Sequence, residues 1–138
     1  MDAVDSLGAE LASVASACAN AEAFQQSEVL DQARKAIVAS LPPELRQAVL
    51  PGFVTASRFS QLMAVGAHET AAIELLGNGL GYIASRSPDG YHIATVNGPG
   101  GQEFTEVAET LALGLVAGLV KLLQALHTQQ ARGTYAHH

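Results

Sequence analysis

The chain has 138 residues, enough for one domain with a real core, but only 14% are charged against a usual share of about 25%. Its 7 basic and 13 acidic residues leave a net charge of −6. The basic residues Arg34, Lys35, Arg46, Arg58, Arg86, Lys121 and Arg132 are scattered, which argues against nucleic-acid binding, since that rests on clustered cations neutralising phosphates.

Cys18 is the only cysteine, so no internal disulfide and no Cys-based zinc site can form. The N-terminus carries Asp2 and Asp5 and no basic region of the secretory type. A reducing, cytoplasmic setting is expected, with no cofactor and no membrane. So apolar a chain with so little charge favours copies that hide surface against each other, and a homodimer is the commonest way to do this.

A first helix is predicted over residues 2–19. Val4, Leu7, Leu11 and Val14 form its apolar stripe, and Cys18 extends it as a small buried hydrophobe. Ser27 is read as the N-cap of a helix over 28–40, which Pro42 and Pro43 stop. A short helix over 43–50 ends at Pro51-Gly52. Another runs from Thr55 to Val65 and closes at Gly66. Residues 68–76 give a further helix, stopped by Gly77-Asn78-Gly79.

Two strands follow, Leu80 to Arg86 and Tyr91 to Asn97, around Ser87-Pro88-Asp89-Gly90. Pro, Asp and Gly in that order suit a type I turn with a glycine bulge. Tyr82 and Tyr91 are expected to pair across this hairpin, or to form a contact patch if exposed. A short third strand is admitted at Gln102 to Phe104. Thr105 is then read as the cap of the last helix, and the tail after Gln129 as frayed.

The stretch from Phe104 to Leu126 organises the chain. Leu111, Leu115, Leu119, Leu122 and Leu126 recur at helical spacing, and the residues between them are apolar too. A helix apolar on nearly all sides must be buried. Its uncharged run Thr110 to Val120 is short of the roughly 20 residues a bilayer span needs, so polypeptide is expected around it. Gly114 and Gly118, four apart, indicate a close backbone approach. That approach lies either inside the subunit or across a dimer in which Leu111, Leu115 and Leu122 complete the self-association face.

No constellation of catalytic type emerges. Gly98-Pro99-Gly100-Gly101 precedes a helix, but no Lys follows, and Glu103, Glu106 and Glu109 would crowd the helix start and repel a phosphate. Those carboxylates offer too few ligands for a metal. Gly77, Gly79 and Gly81 follow a helix and open a strand, the reverse of a dinucleotide site. His68, His92 and His127 have no spaced partner and are expected on the surface.

The order predicted for residues 68–123 is α-β-β-(β)-α. It resembles the double-stranded-RNA-binding domain, but the acidic stretch Glu103 to Glu109 stands where that family places basic residues, so its activity does not carry over. Tyr91-His92-Ile93-Ala94-Thr95-Val96 followed by Ala108-Glu109-Thr110-Leu111-Ala112-Leu113 is also similar to short phage and prophage proteins of unknown function. That resemblance implies a mobile-element origin and a binding role.

The expectation is a single α+β domain over 1–138, mostly α-helical, with a soft boundary near Gly66. Its N-terminal half is helical, and a β-hairpin and a long buried C-terminal helix follow. The function expected is non-enzymatic binding of a protein, a host protein on the phage resemblance. Tyr82, Tyr91, His92, Glu103, Glu106 and Glu109 are the nominated partner surface. The alternative is a small-molecule binder or small enzyme with an apolar pocket lined by His92, Glu109 or Tyr82.

Overall fold

The computed structural model describes the backbone of residues 3–136 and the side chains of residues 8–129. The expectations for Val4 and Leu7 fall outside the described side chains, and those for Asp2, His137 and His138 outside the described residues.

The fold is α+β with a helical front half. It begins with α1 (Ala3–Asn20), a short 3-10 turn (Ala23–Gln25), α2 (Gln26–Ser40), α3 (Pro43–Val49), α4 (Ala56–Ala64) and α5 (His68–Leu75). It continues with β1 (Gly81–Arg86), β2 (His92–Asn97), β3 (Glu103–Ala108) and α6 (Leu111–Ala136). The strands form one antiparallel sheet in the order β1-β2-β3.

Three local expectations are corrected. Ser27 does not cap α2, because the Gln25 side chain accepts from the Glu22 N–H at 2.9 Å and starts the helical path a turn earlier. The third strand extends to Ala108, and Thr105 lies inside it opposite Thr95, their hydroxyls 2.9 Å apart. The cap of α6 is Thr110, whose Oγ1 accepts from the Leu113 N–H at 3.2 Å. Helix α6 runs to Ala136.

The Gly77 stop holds for a physical reason. Its φ of 66° belongs to the left-handed region, and a Cβ there would lie 2.5 Å from the Pro51 carbonyl. That carbonyl accepts from the Asn78 N–H at 2.6 Å, which ties the end of α5 to the loop after α3.

Helix α6 is the centre of the molecule. It packs on α1, α2 and α5 and against β2 and β3. Leu113, Leu115, Val116, Leu119, Val120 and Leu122 are fully buried, so its all-round apolarity is explained by polypeptide on every side. Leu111–Gln129 has the length and composition of a membrane span, but most of that window is buried within the fold.

The register divides the sheet into two faces. Ala94 and Val96 of β2 and Phe104, Glu106 and Ala108 of β3 share the face turned to α6. Gly114 sits under Ala94 and Ala108, and Gly118 under Val96 and the Phe104 carbonyl. The close approach therefore lies inside the subunit. Cys18 is completely buried in the same core, and that burial, with the nearby charge of Glu106, pushes its thiol up to about 12.

Candidate functional site

The structure disperses both nominated surfaces. Gly114, Gly118, Leu115 and Leu122 are buried under the sheet and against the helices, and Leu111 is half-buried beside them. Gly114, Gly118, Leu115 and Leu122 are closed to a second copy, because packing within the subunit uses the apolar face that sequence spacing assigned to self-association, and Leu111 alone keeps some exposure.

Tyr82 and Tyr91 are not cross-strand neighbours. Tyr82 lies opposite Val96, while Tyr91 precedes β2, where its carbonyl accepts from the Ser87 N–H at 2.9 Å. The three acids also part company. Glu103 and Thr105 share the outward side of β3, and Glu109 is exposed in the link to α6. Glu106 points inward with a side chain only 14% exposed and meets Lys121 Nζ of α6 at 2.8 Å. Two of these acids lie in a strand, so they do not crowd the start of α6 as expected.

What the fold leaves open is β1. All six of its residues are exposed, on both faces of the sheet. Helix α6 lies beneath β2 and β3, and α1 packs against β3, so the β1 side of the sheet is the uncovered one. Its pairing with β2 is unbroken from Gly81↔Asn97 to Arg86↔His92. An edge strand usually carries a Pro, a charged side chain, a bulge or a covering element that blocks further pairing; among the described residues β1 has only one of these, the charge of Arg86 at its last position. On the outward face Ile83 is 63% exposed and Val107 57% exposed, with Ile93 between Ser85 and Val107. Tyr82 is exposed on the opposite face. The signal legible in the sequence was the run Tyr82-Ile83-Ala84-Ser85, apolar on both sides of the pleat and without charge.

His92 opens β2 opposite Arg86, on the hairpin. It lines a polar cleft of about 250 Å³ with Gln26, His68, Glu69, Thr110 and Leu111. His68 Nε2 lies 2.6 Å from Ser27 Oγ, a contact between α5 and α2 that no local spacing announces. Tyr82 and Glu109 are not part of this cleft. The apolar cavity lies between α1, α3 and α6, lined by Leu11, Leu45, Val49, Leu123 and Leu126 among others. Its volume of about 70 Å³ is well below the roughly 300–1,000 Å³ of ordinary ligand pockets. Among the described residues, no group of three His, Cys, Asp or Glu side chains could hold a metal ion.

Comparison with protein-family models, curated proteins and solved structures finds no match to this chain.

Proposed function

We propose that this chain is a non-enzymatic protein-interaction module that takes up an extended segment of a partner protein along the free edge of β1. The observation that carries this reading is the exposure of β1 on both faces together with its unblocked edge. Unpaired N–H and C=O groups along such an edge are a template for one more strand. Ile83 on one side and Tyr82 with Ala84 on the other supply apolar contacts for alternate side chains of the incoming segment.

Arg86 closes the strand with an exposed guanidinium, so the segment best matched is uncharged along its length with an acid near that end. The resemblance to phage proteins makes a host protein the partner class, and occupation of a strand-binding segment the means of inhibition.

The test is affinity purification with cross-linking mass spectrometry on wild type and Ile83→Lys. One partner should cross-link beside β1 and be lost in the variant, while the unfolding midpoint stays put because Ile83 is mostly solvated. A partner held equally by both proteins, or cross-linked only to the helical face, would sink the idea. If sedimentation shows a dimer that Ile83→Lys dissociates, the occupant is a second copy.

The Ser27–His68 contact beside the polar cleft supports a second reading, a small-molecule binder. Native mass spectrometry of the purified chain checks it: a co-purified ligand lost on His68→Ala supports that reading.

A further inference from the structure

The basic residues are spread along the sequence, yet the fold brings two of them to one aromatic ring. Arg34 on α2 and Arg46 on α3 each hold the guanidinium carbon 5.7 Å from the centre of Phe53. Arg34 stands at the same 5.7 Å from Phe59. Phe59 is buried beneath, and Phe53 is half-buried.

A ring face attracts a cation but cannot neutralise it. Asp31, whose charge acts on Arg34, is held by Lys35 at 2.9 Å. Among the described residues no carboxylate forms an ion pair with Arg34 or Arg46. Arg46 spends one donor, Nη1, on the Leu41 carbonyl at 3.0 Å, which fixes it against the end of α2. Arg34 Nε is buried without an acceptor, so the donors Arg34 can offer a ligand are its terminal Nη groups. Burial first, and Arg46 second, hold the Arg34 guanidinium below its ordinary pKa.

We infer that Arg34, Arg46 and Phe53 form a binding site for a phosphate monoester carried on an apolar or aromatic group. A phosphate monoester brings about −1.5 to −2 charges and three acceptor oxygens, which two guanidiniums balance. Planar guanidinium forks match phosphate oxygens in pairs. The half-buried Phe53 ring gives the organic part of the ester an apolar wall. This surface lies on α2, α3 and the loop before α4, apart from the sheet, so it stands or falls independently of strand capture at β1.

The experiment follows the arginine Nε–Hε resonances of the full ¹⁵N-labelled chain at constant ionic strength. The probes are inorganic phosphate, phenyl phosphate and a phosphotyrosine peptide. The signals of Arg34 and Arg46 should shift saturably, and phenyl phosphate should bind several-fold more tightly than inorganic phosphate.

Arg34→Lys keeps the charge and the stem but loses the fork. It should weaken binding about tenfold or more, as expected for one charge-assisted hydrogen bond. Arg86→Gln, on β1 away from this surface, should leave binding unchanged. Arg46→Lys provides the same comparison if circular dichroism shows Arg34→Lys unfolded. A peptide that binds more tightly than phenyl phosphate assigns the ligand to a phosphorylated protein, and equal affinity assigns it to a free ester. The inference is overturned if no probe gives a saturable shift, if inorganic and phenyl phosphate bind alike, or if the lysine variants bind like wild type.

Discussion

Gly118→Ala isolates the contact on which the core is built. In an exposed helix this change stabilises by roughly 1 kcal/mol. Here the new Cβ would lie 2.7 Å from Val96 Cγ2, 3.2 Å from Val96 Cβ and 3.4 Å from the Phe104 carbonyl oxygen. Val96 is fully buried in the central strand, and its branched side chain has little rotamer freedom. The Phe104 carbonyl belongs to a strand paired with β2. Neither neighbour can yield alone, so the sheet must lift from α6.

Overpacking of this kind costs roughly 1–3 kcal/mol. Set against the helical gain, the expected net loss is about 1 kcal/mol, a drop of roughly 3–5 °C in melting temperature for a domain of this size. Urea denaturation of four proteins tests the cause: wild type, Gly118→Ala, Val96→Ala and the double variant. Val96→Ala alone should lose about 2 kcal/mol through lost burial and a small cavity. In that background the 2.7 Å contact is gone but the 3.2 Å contact with the Cβ of residue 96 remains, so Gly118→Ala should cost about 1 kcal/mol less than in wild type and come out near neutral. If Gly118→Ala stabilises wild type, or shifts both backgrounds equally, the close approach is not the reason for the glycine. Gly114→Ala is the control. Its nearest neighbour is Ala94 Cβ at 3.2 Å, and the helical gain should roughly offset that milder contact.

The buried Cys18 thiol should resist alkylation in the native state and react only on unfolding. Its folded value of about 12 is raised above the ordinary 9.0, so its contribution to stability is intact below 9.0 and is lost as pH rises toward 12. The alkaline loss of stability should be shallower in Cys18→Ala than in wild type, and equal slopes would count against the raised thiol value. Lys121→Met leaves the mostly buried Glu106 carboxylate unpaired and should destabilise by roughly 1–3 kcal/mol, with recovery when Glu106→Gln is added. Arg58 donates from Nε and Nη2 to Glu74, which lowers the Glu74 pKa. That stabilising contribution is present above the ordinary 4.5 and fades as pH falls through the lowered value. Carboxyl NMR titration should find Glu74 back near 4.5 in Arg58→Gln, and an unchanged Glu74 would refute the coupling.

Much of the fold was legible because local signals agreed with global packing. The turn Ser87 to Gly90, the stop at Gly77 and the period of Leu111 to Leu126 each describe a short stretch whose surroundings do not overrule it. The third strand was legible only as far as Phe104, and its continuation to Ala108 was not. Its inward set is Phe104, Glu106 and Ala108, and the charge at Glu106 breaks the apolar alternation that marks a strand. Lys121, 15 residues away in sequence, restores the balance, and no window centred on the strand includes it. Thr105 suits a cap by residue type, and only the pairing of β3 with β2 places it inside a strand and leaves the cap to Thr110. The candidate sites were harder still. Arg34, Arg46 and Phe53 are unremarkable in sequence and meet only because α3 folds back on the end of α2. Ser27 and His68, 41 residues apart, are brought together in the same way.

The bare state of β1 follows from the dimensions of its neighbours. Adjacent strands are about 4.8 Å apart, so three strands place their outer axes nearly 10 Å apart. A single helix with its side chains is about 10–12 Å across and covers three strands only if it is centred on the middle one. Helix α6 is not free to centre. Gly114 lies beneath Ala94 and Ala108, and Gly118 beneath Val96 and the Phe104 carbonyl, which pins the helix between β2 and β3. The contact that seats the helix therefore also leaves β1 overhanging. Covering Tyr82 and Ala84 from within would require α6 to slide toward β1, away from Ala108 and Phe104 and from the Glu106–Lys121 ion pair. The exposed edge is thus coupled to the tightest packing in the molecule. A variant that loosens that packing, such as Gly118→Ala, should slow or weaken strand capture as well as lower stability, whereas Ile83→Lys should abolish capture with stability intact.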